Sequence, residues 1–267
     1  MQYHEHQINE PLTEYIQTVW AMESKNDEDI YPRSLIMPDG IVEIIFHYET
    51  PFYTWQDGKK FLQPENFAVS MMQQYTEIAS SGKAGFISVR FFPWGAYHFF
   101  DEPVQNFLDR TINATKLWGN DSGKIIKEMK TLNSFEERFK AVEQFLLEKL
   151  KQHKKEEAEA DNAIKLIRQT KGALTIEKVC AETGLSKKQL ERKFLATVGI
   201  MPKAFSRITR FLNICQNLDE QKNKTLTQIT YECGFYDQAH FIKEFKAFSG
   251  FTPKEFFEKE NVYFSEI

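Results

Sequence analysis

The chain has 267 residues, 42% hydrophobic and 27% charged, with 24 Phe and an aromatic content of 14%. That length suits two domains, each large enough to bury a core, and the composition excludes disordered, collagen-like and low-complexity classes. The net charge of −4 divides unevenly: residues 1–160 hold 17 Lys and Arg against 25 Asp and Glu (net −8), whereas residues 161–267 hold 17 against 13 (net +4). A polyanionic partner is therefore expected at the second part alone.

No run approaches the roughly 18 apolar residues of a membrane span, and Met1 to Pro11 is polar and acidic, so neither a span nor a signal peptide is predicted. The expected compartment is the cytoplasm. Cys180, Cys215 and Cys233 fall in the last third without paired spacing, which argues against a disulfide framework or a zinc site.

From Tyr15 to about Phe100 the pattern is that of short strands. Val42–Tyr48 is β-branched and aromatic after a turn at Pro38-Asp39-Gly40, and Phe86–Phe92 is a second strand stopped by Pro93 and Gly95. Shorter runs at 15–23, 52–55 and 68–72 lie between turn signals such as Asp57-Gly58 and Ser81-Gly82. A sandwich or barrel is the expected result. The period then changes: 96–100 opens a short helix, and 122–132 and 135–150 carry apolar residues three and four apart. These two helices either cover the sandwich or form a homodimer face. The charged stretch 151–161 reads as an exposed helical extension or linker. The domains are placed at 1–152 and 163–260, with a charged linker at 153–162.

The last hundred residues contain a repeat. Leu190, Arg192, Phe194, Gly199, Pro202 and Phe205 recur 51 residues later as Phe241, Lys243, Phe245, Gly250, Pro253 and Phe256. Ile176, Val179 and Gly184 recur 50 residues later as Leu226, Ile229 and Gly234, so the second copy has one extra residue in its turn. Each copy reads as a short helix, a Gly turn and a second amphipathic helix, which is a helix-turn-helix. Thr175, Ser186 and Asp237 are the expected N-caps. Pro202–Leu218 is predicted as one long helix joining the copies, with Phe205, Ile208, Phe211, Leu212 and Cys215 on one side. A rigid joining helix would fix the separation of the two second helices along a duplex.

The pattern Gly184-Leu185-Ser186, Leu190, Arg192, Phe194, Gly199 and Pro202, followed by Cys233-Gly234-Phe235, Phe241, Phe245-Lys246, Gly250 and Thr252-Pro253, resembles the AraC/XylS family of bacterial transcription regulators. The resemblance covers about residues 161–258. It departs from the family at Cys180 and Thr230, where Ala is usual, at Leu195, where Lys is common, and at Phe256-Phe257, where Tyr-Arg is usual. The runs Met37–Phe46 and Val89–Ala96 resemble a cupin-related amino-terminal domain found in members of that family. The expected fold is thus α+β, a β-rich cupin-like sandwich or barrel with flanking helices, then an all-α domain of two helix-turn-helix units joined by a long helix.

The residues expected at double-stranded DNA are Ser186, Lys187, Lys188, Gln189, Glu191 and Arg192 in the first unit, and Tyr236, Gln238, His240, Lys243 and Lys246 in the second. Arg192 can pair bidentately with guanine and Glu191 can accept from cytosine, unless Glu191 pairs with Lys187 or Lys188 instead. Lys246 suits a phosphate. In the first domain Glu43 and His47 share one face of their strand, and Arg90 lies on the matching face of another. With Trp20 and Trp94 they outline a mostly apolar pocket for a small effector, or else Glu43 and Arg90 are an ion pair and the tryptophans are core.

The competing reading is a cupin-type enzyme or ligand-binding protein with a helical appendage. Metal-dependent cupins need clustered His, but 15–100 holds only His47 and His98, and His4 and His6 lie in the polar terminus. There is no Gly-x-Ser-x-Gly and no phosphate-binding Gly-rich loop. No catalytic residue, metal, cofactor or membrane partner is expected.

Overall fold

The computed structural model describes residues 1–56, 58–72, 74–108, 110–156, 158–216 and 224–258. Asp57 of the predicted turn, Leu218 at the predicted end of the joining helix and residues 259–260 lie outside the described residues. Among the described residues the strands are β1 (Gln2–His6), β2 (Ile16–Glu23), β3 (Ser34–Ile36), β4 (Glu43–His47), β5 (Phe52–Gln56), β6 (Lys59–Leu62), β7 (Asn66–Val69), β8 (Thr76–Ser80), β9 (Gly85–Phe91) and β10 (Thr111–Asn113). They form two antiparallel sheets, ordered β1-β2-β9-β4-β7-β10 and β3-β8-β5-β6.

The register assigns the two faces of the larger sheet. Glu43 pairs with Arg90, Ile44 with Val89, and Trp20 with Ser88. Period two then places Val19, Ala21, Ile44, Phe46, Ile87, Val89 and Phe91 on one face, all buried in the main core. Trp20, Met22, Glu43, Ile45, His47, Phe86, Ser88 and Arg90 occupy the other, toward the smaller sheet. Because both faces are covered, β9 is buried at every position. Its sequence still alternates from Ile87 to Phe91, because Ser88 and Arg90 are buried polar groups of the inner face.

The first face is covered by α1 (Thr115–Trp118), α2 (Asn120–Thr131) and α3 (Phe135–His153). Ser134 and Glu137 form a capping box that starts α3. Phe145 of α3 meets Phe46 of β4 edge-on at 6.1 Å and Trp118 at 5.0 Å. The apolar stripes of α2 and α3, through Ile125, Ile126, Met129, Phe139, Val142 and Leu146, are therefore spent on the sheet. β1 was not signalled by its polar sequence, because an edge strand with four exposed residues of five shows no apolar alternation. His4 stacks on Phe135 at 3.8 Å, and His6 stacks on Phe139 while bonding Glu143 at 3.0 Å. Both histidines strap β1 to α3.

The charged stretch after α3 is not simply an exposed extension. Lys155 donates from Nζ to the carbonyls of Tyr97 (2.9 Å) and Phe100 (2.7 Å), and its backbone N–H donates to His98 Nδ1 at 3.2 Å. The ammonium supplies donors to carbonyls at the end of a 3-10 turn, so this one Lys is drawn in among otherwise solvated charges. α4 (Ala158–Gln169) follows, with Ala160, Ala163, Ile164 and Ile167 buried.

The helical region continues with α5 (Ile176–Thr183), α6 (Lys187–Thr197), α7 (Pro202–Gln216), α8 (Leu226–Glu232), α9 (Gln238–Ser249) and α10 (Pro253–Phe257). Its core is aromatic: Phe194, Phe205, Phe211, Phe241, Phe245 and Phe256 are all buried. Met37 and Met71 of the sandwich are buried in this same cluster, with Leu35, Trp94 and Leu108 packed against it. The sandwich also touches both copies of the repeat at equivalent places. Gly199 has φ +86° and lies so close to Val104 that a Cβ there would come within 2.9 Å; Gly250, with φ +79°, is closer still to the Tyr75 ring.

Phe46→Ala should cost about 3–5 kcal/mol, since a buried aromatic anchor between sheet and helices would leave a cavity. Denaturant unfolding followed by near-UV circular dichroism checks this. A loss under about 1 kcal/mol would mean that α3 is not seated on β4 as described.

Candidate nucleic-acid interface

The turn chemistry that builds each unit is explicit. Thr175 caps α5 by accepting from the Lys178 N–H, and Gly184 follows α5 in the left-handed region at φ +71°. Ser186 and Gln189 then form a capping box at the start of α6. In the second unit Thr225 and Gln228 make the same box on α8, and Asp237 caps α9 through the His240 N–H at 2.8 Å. With Leu190 and Phe194 buried on one side of α6, period 3.6 puts Lys188 and Arg192 on the exposed side, and Lys187 is exposed as the first residue of the helix. No ion pair to these three cations, or to Glu191, lies among the described residues. The alternative in which Glu191 holds Lys187 or Lys188 is thus absent from this structure. Ser186 and Gln189 have their side chains committed to each other, Oγ to Oε1 at 2.7 Å.

In the second unit Tyr236, the most exposed large apolar side chain among the described residues at 89%, stands on the turn directly before the cap. Gln238, Lys243 and Lys246 are exposed on α9. His240 is half tied down, its Nε2 3.2 Å from Glu244 Oε1. Glu244 is itself buried and receives Arg207 Nε of α7 at 2.5 Å. Sequence reasoning missed this Arg207–Glu244 link. The signal available was Glu244 itself, an acid on an otherwise basic helix, at the repeat position that Lys193 holds in the first unit.

α7 lies between the units. Phe205 meets Phe194 of the first at 5.8 Å, and Phe211 meets Phe245 and Phe248 of the second, each at 5.2 Å. Both exposed helix faces are therefore carried on one rigid element, and the sandwich leaves the cations of α6 and α9 uncovered.

The effector residues named from sequence are only partly brought together. Glu43, Arg90, Trp20 and His47 do share the inner face of the large sheet. Trp20 stacks edge-on with Phe86 at 5.1 Å, and Ser88 donates to Glu43. The principal partner of Arg90, however, is Asp39 at 2.7 Å, with Glu43 only at 3.9 Å. Asp39 comes from the turn before β4, which strand periodicity could not place. Burial raises the Glu43 carboxyl, and the Arg90 charge only partly offsets that. Trp94 lies elsewhere: past the end of β9, it stacks on Phe92 at 4.7 Å with Lys165 of α4 over its ring. Phe92 likewise leaves the inner face, because β9 ends at Phe91.

Among the described residues no three His, Cys, Asp or Glu side chains gather as a metal site, and no helix is long and apolar enough to cross a membrane.

Residues 179–259 match a family model described as a helix-turn-helix domain, and residues 4–113 match one described as a domain of unknown function, DUF6597. The HTH-type transcriptional regulator ArgR of Pseudomonas aeruginosa is 32% identical over 82 residues, 31% of this chain and 25% of that relative. The match thus spans about a quarter of that regulator. A structure of ToxT from Vibrio cholerae is 12% identical with a TM-score of 0.46, covering 96% of this chain and 98% of that one. ToxT bound to an unsaturated fatty acid gives 13% and 0.45, over 94% and 96%. The carboxy-terminal part is a duplicated helix-turn-helix domain. In that duplication, and in matching a helix-turn-helix model over its last third, the chain is similar to regulators of the AraC/XylS type.

His47 offers a test of the inner face. It lies among Phe52, Phe67 and Phe86, and burial lowers its pKa to about 4. A His depressed below its unfolded value of about 6.5 contributes stability above that pH and loses it as pH falls toward 4. His47→Phe should flatten the decline in stability between those limits. Parallel curves for the two proteins would place His47 in a wetter site than the structure gives it.

Proposed function

We propose that this chain is a one-component transcription regulator that binds double-stranded DNA sequence-specifically through both helix-turn-helix units, under control of a small effector or partner at the amino-terminal domain. The observation that carries the reading is the pair of exposed, cation-bearing second helices fixed on α7. Residues 1–152 would sense, 153–162 connect and 163–260 bind DNA. In this reading Arg192 reads a base, Lys187, Lys188 and Lys246 meet phosphates, and Tyr236, Gln238 and Lys243 present the second half-element. Ser186 and Gln189 act through their backbone and helix end, since their side chains cap each other. The effector would occupy the inner face near Trp20, Glu43, His47 and Arg90.

The same reading has the protein working in the cytoplasm, by binding and not by catalysis, without a metal or cofactor. A homodimer, if formed, would use a surface other than the apolar stripes of α2 and α3, which the sheet already occupies.

Selection from a random duplex pool with the full chain tests this, followed by single variants on the selected site. Arg192→Ala should cost about 1–3 kcal/mol and relax preference at one base position, whereas Lys246→Ala should weaken all sequences alike and lower the salt dependence. Salt-dependent binding with no selected sequence would overturn the regulator reading.

A further inference from the structure

A cleft of about 230 Å³ lies where the sandwich meets the helical domain. Taking about 30 Å³ per water, it has room for about eight waters. Its sandwich wall includes Gly40 and Pro93; its helical wall includes Arg168 and Lys171, with Thr209 and Asn213 of α7. Arg168 is half-buried over Trp94 and Phe92, its guanidinium carbon 5.8 Å from each ring centroid. Burial lowers its pKa.

A guanidinium taken from water is ordinarily paired. Among the described residues no carboxylate pairs with Arg168. Asp39, the acid in the cleft wall, is committed to Arg90 at 2.7 Å and to the Ile41 N–H at 3.3 Å. The last carbonyls of α4 are the other local source of negative charge for a residue in the last turn. They are taken as well: Leu166, Ile167 and Arg168 accept from the backbone N–H groups of Thr170, Gly172 and Lys171. The cleft therefore presents a half-buried guanidinium that has ring contacts but no carboxylate partner among the described residues, and Lys171, exposed at its edge, adds a second positive charge.

We propose that this cleft is a binding site for a small oxyanion, a carboxylate or a phosphate, held by Arg168 and Lys171 between the two domains. Its volume is sufficient for a compact anion. The site is separate from the inner face of the sandwich, and it sits beside the Gly40 turn, where a Cβ would come within 3.2 Å of Ile208 and 3.5 Å of Leu212 of α7. Occupancy would tie α4 and α7 to the turn that carries Asp39, and so bear on how the sandwich sits against the helix joining the two units.

Thermal unfolding of the full chain in inorganic phosphate, in succinate, and in chloride at matched ionic strength tests the site. Arg168→Met keeps an apolar stem over Trp94 and removes the charge. Phosphate or succinate should raise the wild-type midpoint by a few degrees, an increment that Arg168→Met loses. General salting-out acts on both proteins alike. Equal responses of wild type and variant to both anions would overturn the proposal, whichever way the variant's stability moves. Should Arg168→Met fail to fold, titration calorimetry of the wild type with each anion decides, since absence of heat and of saturation would sink the site. A response to phosphate alone or succinate alone assigns the ligand's headgroup. Sequence-selective DNA binding on the same preparations keeps the two readings apart: selection without an anion response removes only this site, and an anion response without selection removes only the regulator.

Discussion

The packing of α7 between two helix-turn-helix units is the constraint on which the carboxy-terminal half depends. Phe205 faces Phe194 on one side, Phe211 faces Phe245 and Phe248 on the other, and Arg207 reaches Glu244 across the second contact. Each unit alone is a pair of short helices with too little apolar surface to be stable. Stacked on α7 they share one aromatic core. Their separation then stops being a property of a flexible linker and becomes a property of a helix, which rises about 1.5 Å per residue.

The sandwich is part of the same arrangement. Met37 and Met71 enter the helical core, Val104 seats against Gly199, and Tyr75 seats against Gly250. These two glycines are equivalent in the repeat, so the amino-terminal domain braces the end of each second helix while leaving the basic faces open. The inner face of the sandwich connects to this brace through few atoms: Arg90 holds Asp39, and the next residue, Gly40, lies against α7. A ligand acting on Arg90 would have a short mechanical route to the helical half.

Legibility followed the size of the periodic signal. The repeat was readable residue by residue, because Leu190, Phe194, Gly199 and Pro202 serve the same packing and turn roles as their partners 51 positions on. The buried strands β4 and β9 were readable from their β-branched and aromatic runs. β1, β3, β6 and β10 were not, being short or exposed at a sheet edge, where no apolar alternation is required; β8 is an interior strand, but its five residues are only half-buried and form no apolar run. Glu43, His47 and Arg90 do share one sheet face, as strand period predicts, whereas Asp39 was not foreseen there and Trp94 was expected there but lies elsewhere, because both are in turns whose direction no period fixes. The pairing of Arg207 with Glu244, and the isolation of Arg168, are contacts between distant elements and carry no local pattern at all.

The central claim, that one rigid helix sets the distance between two DNA-reading surfaces, is tested most directly by spacing. A selected site should contain two half-elements about one helical turn, 10–10.5 bp, apart. Affinity of the full chain is measured for that site and for versions with five or ten base pairs inserted between the halves. The account predicts that either insertion reduces affinity to that of a single half-element, because α7 can neither rotate nor stretch to follow. Affinity indifferent to spacing would contradict it, and would mean that the two units engage DNA independently or that only one of them does.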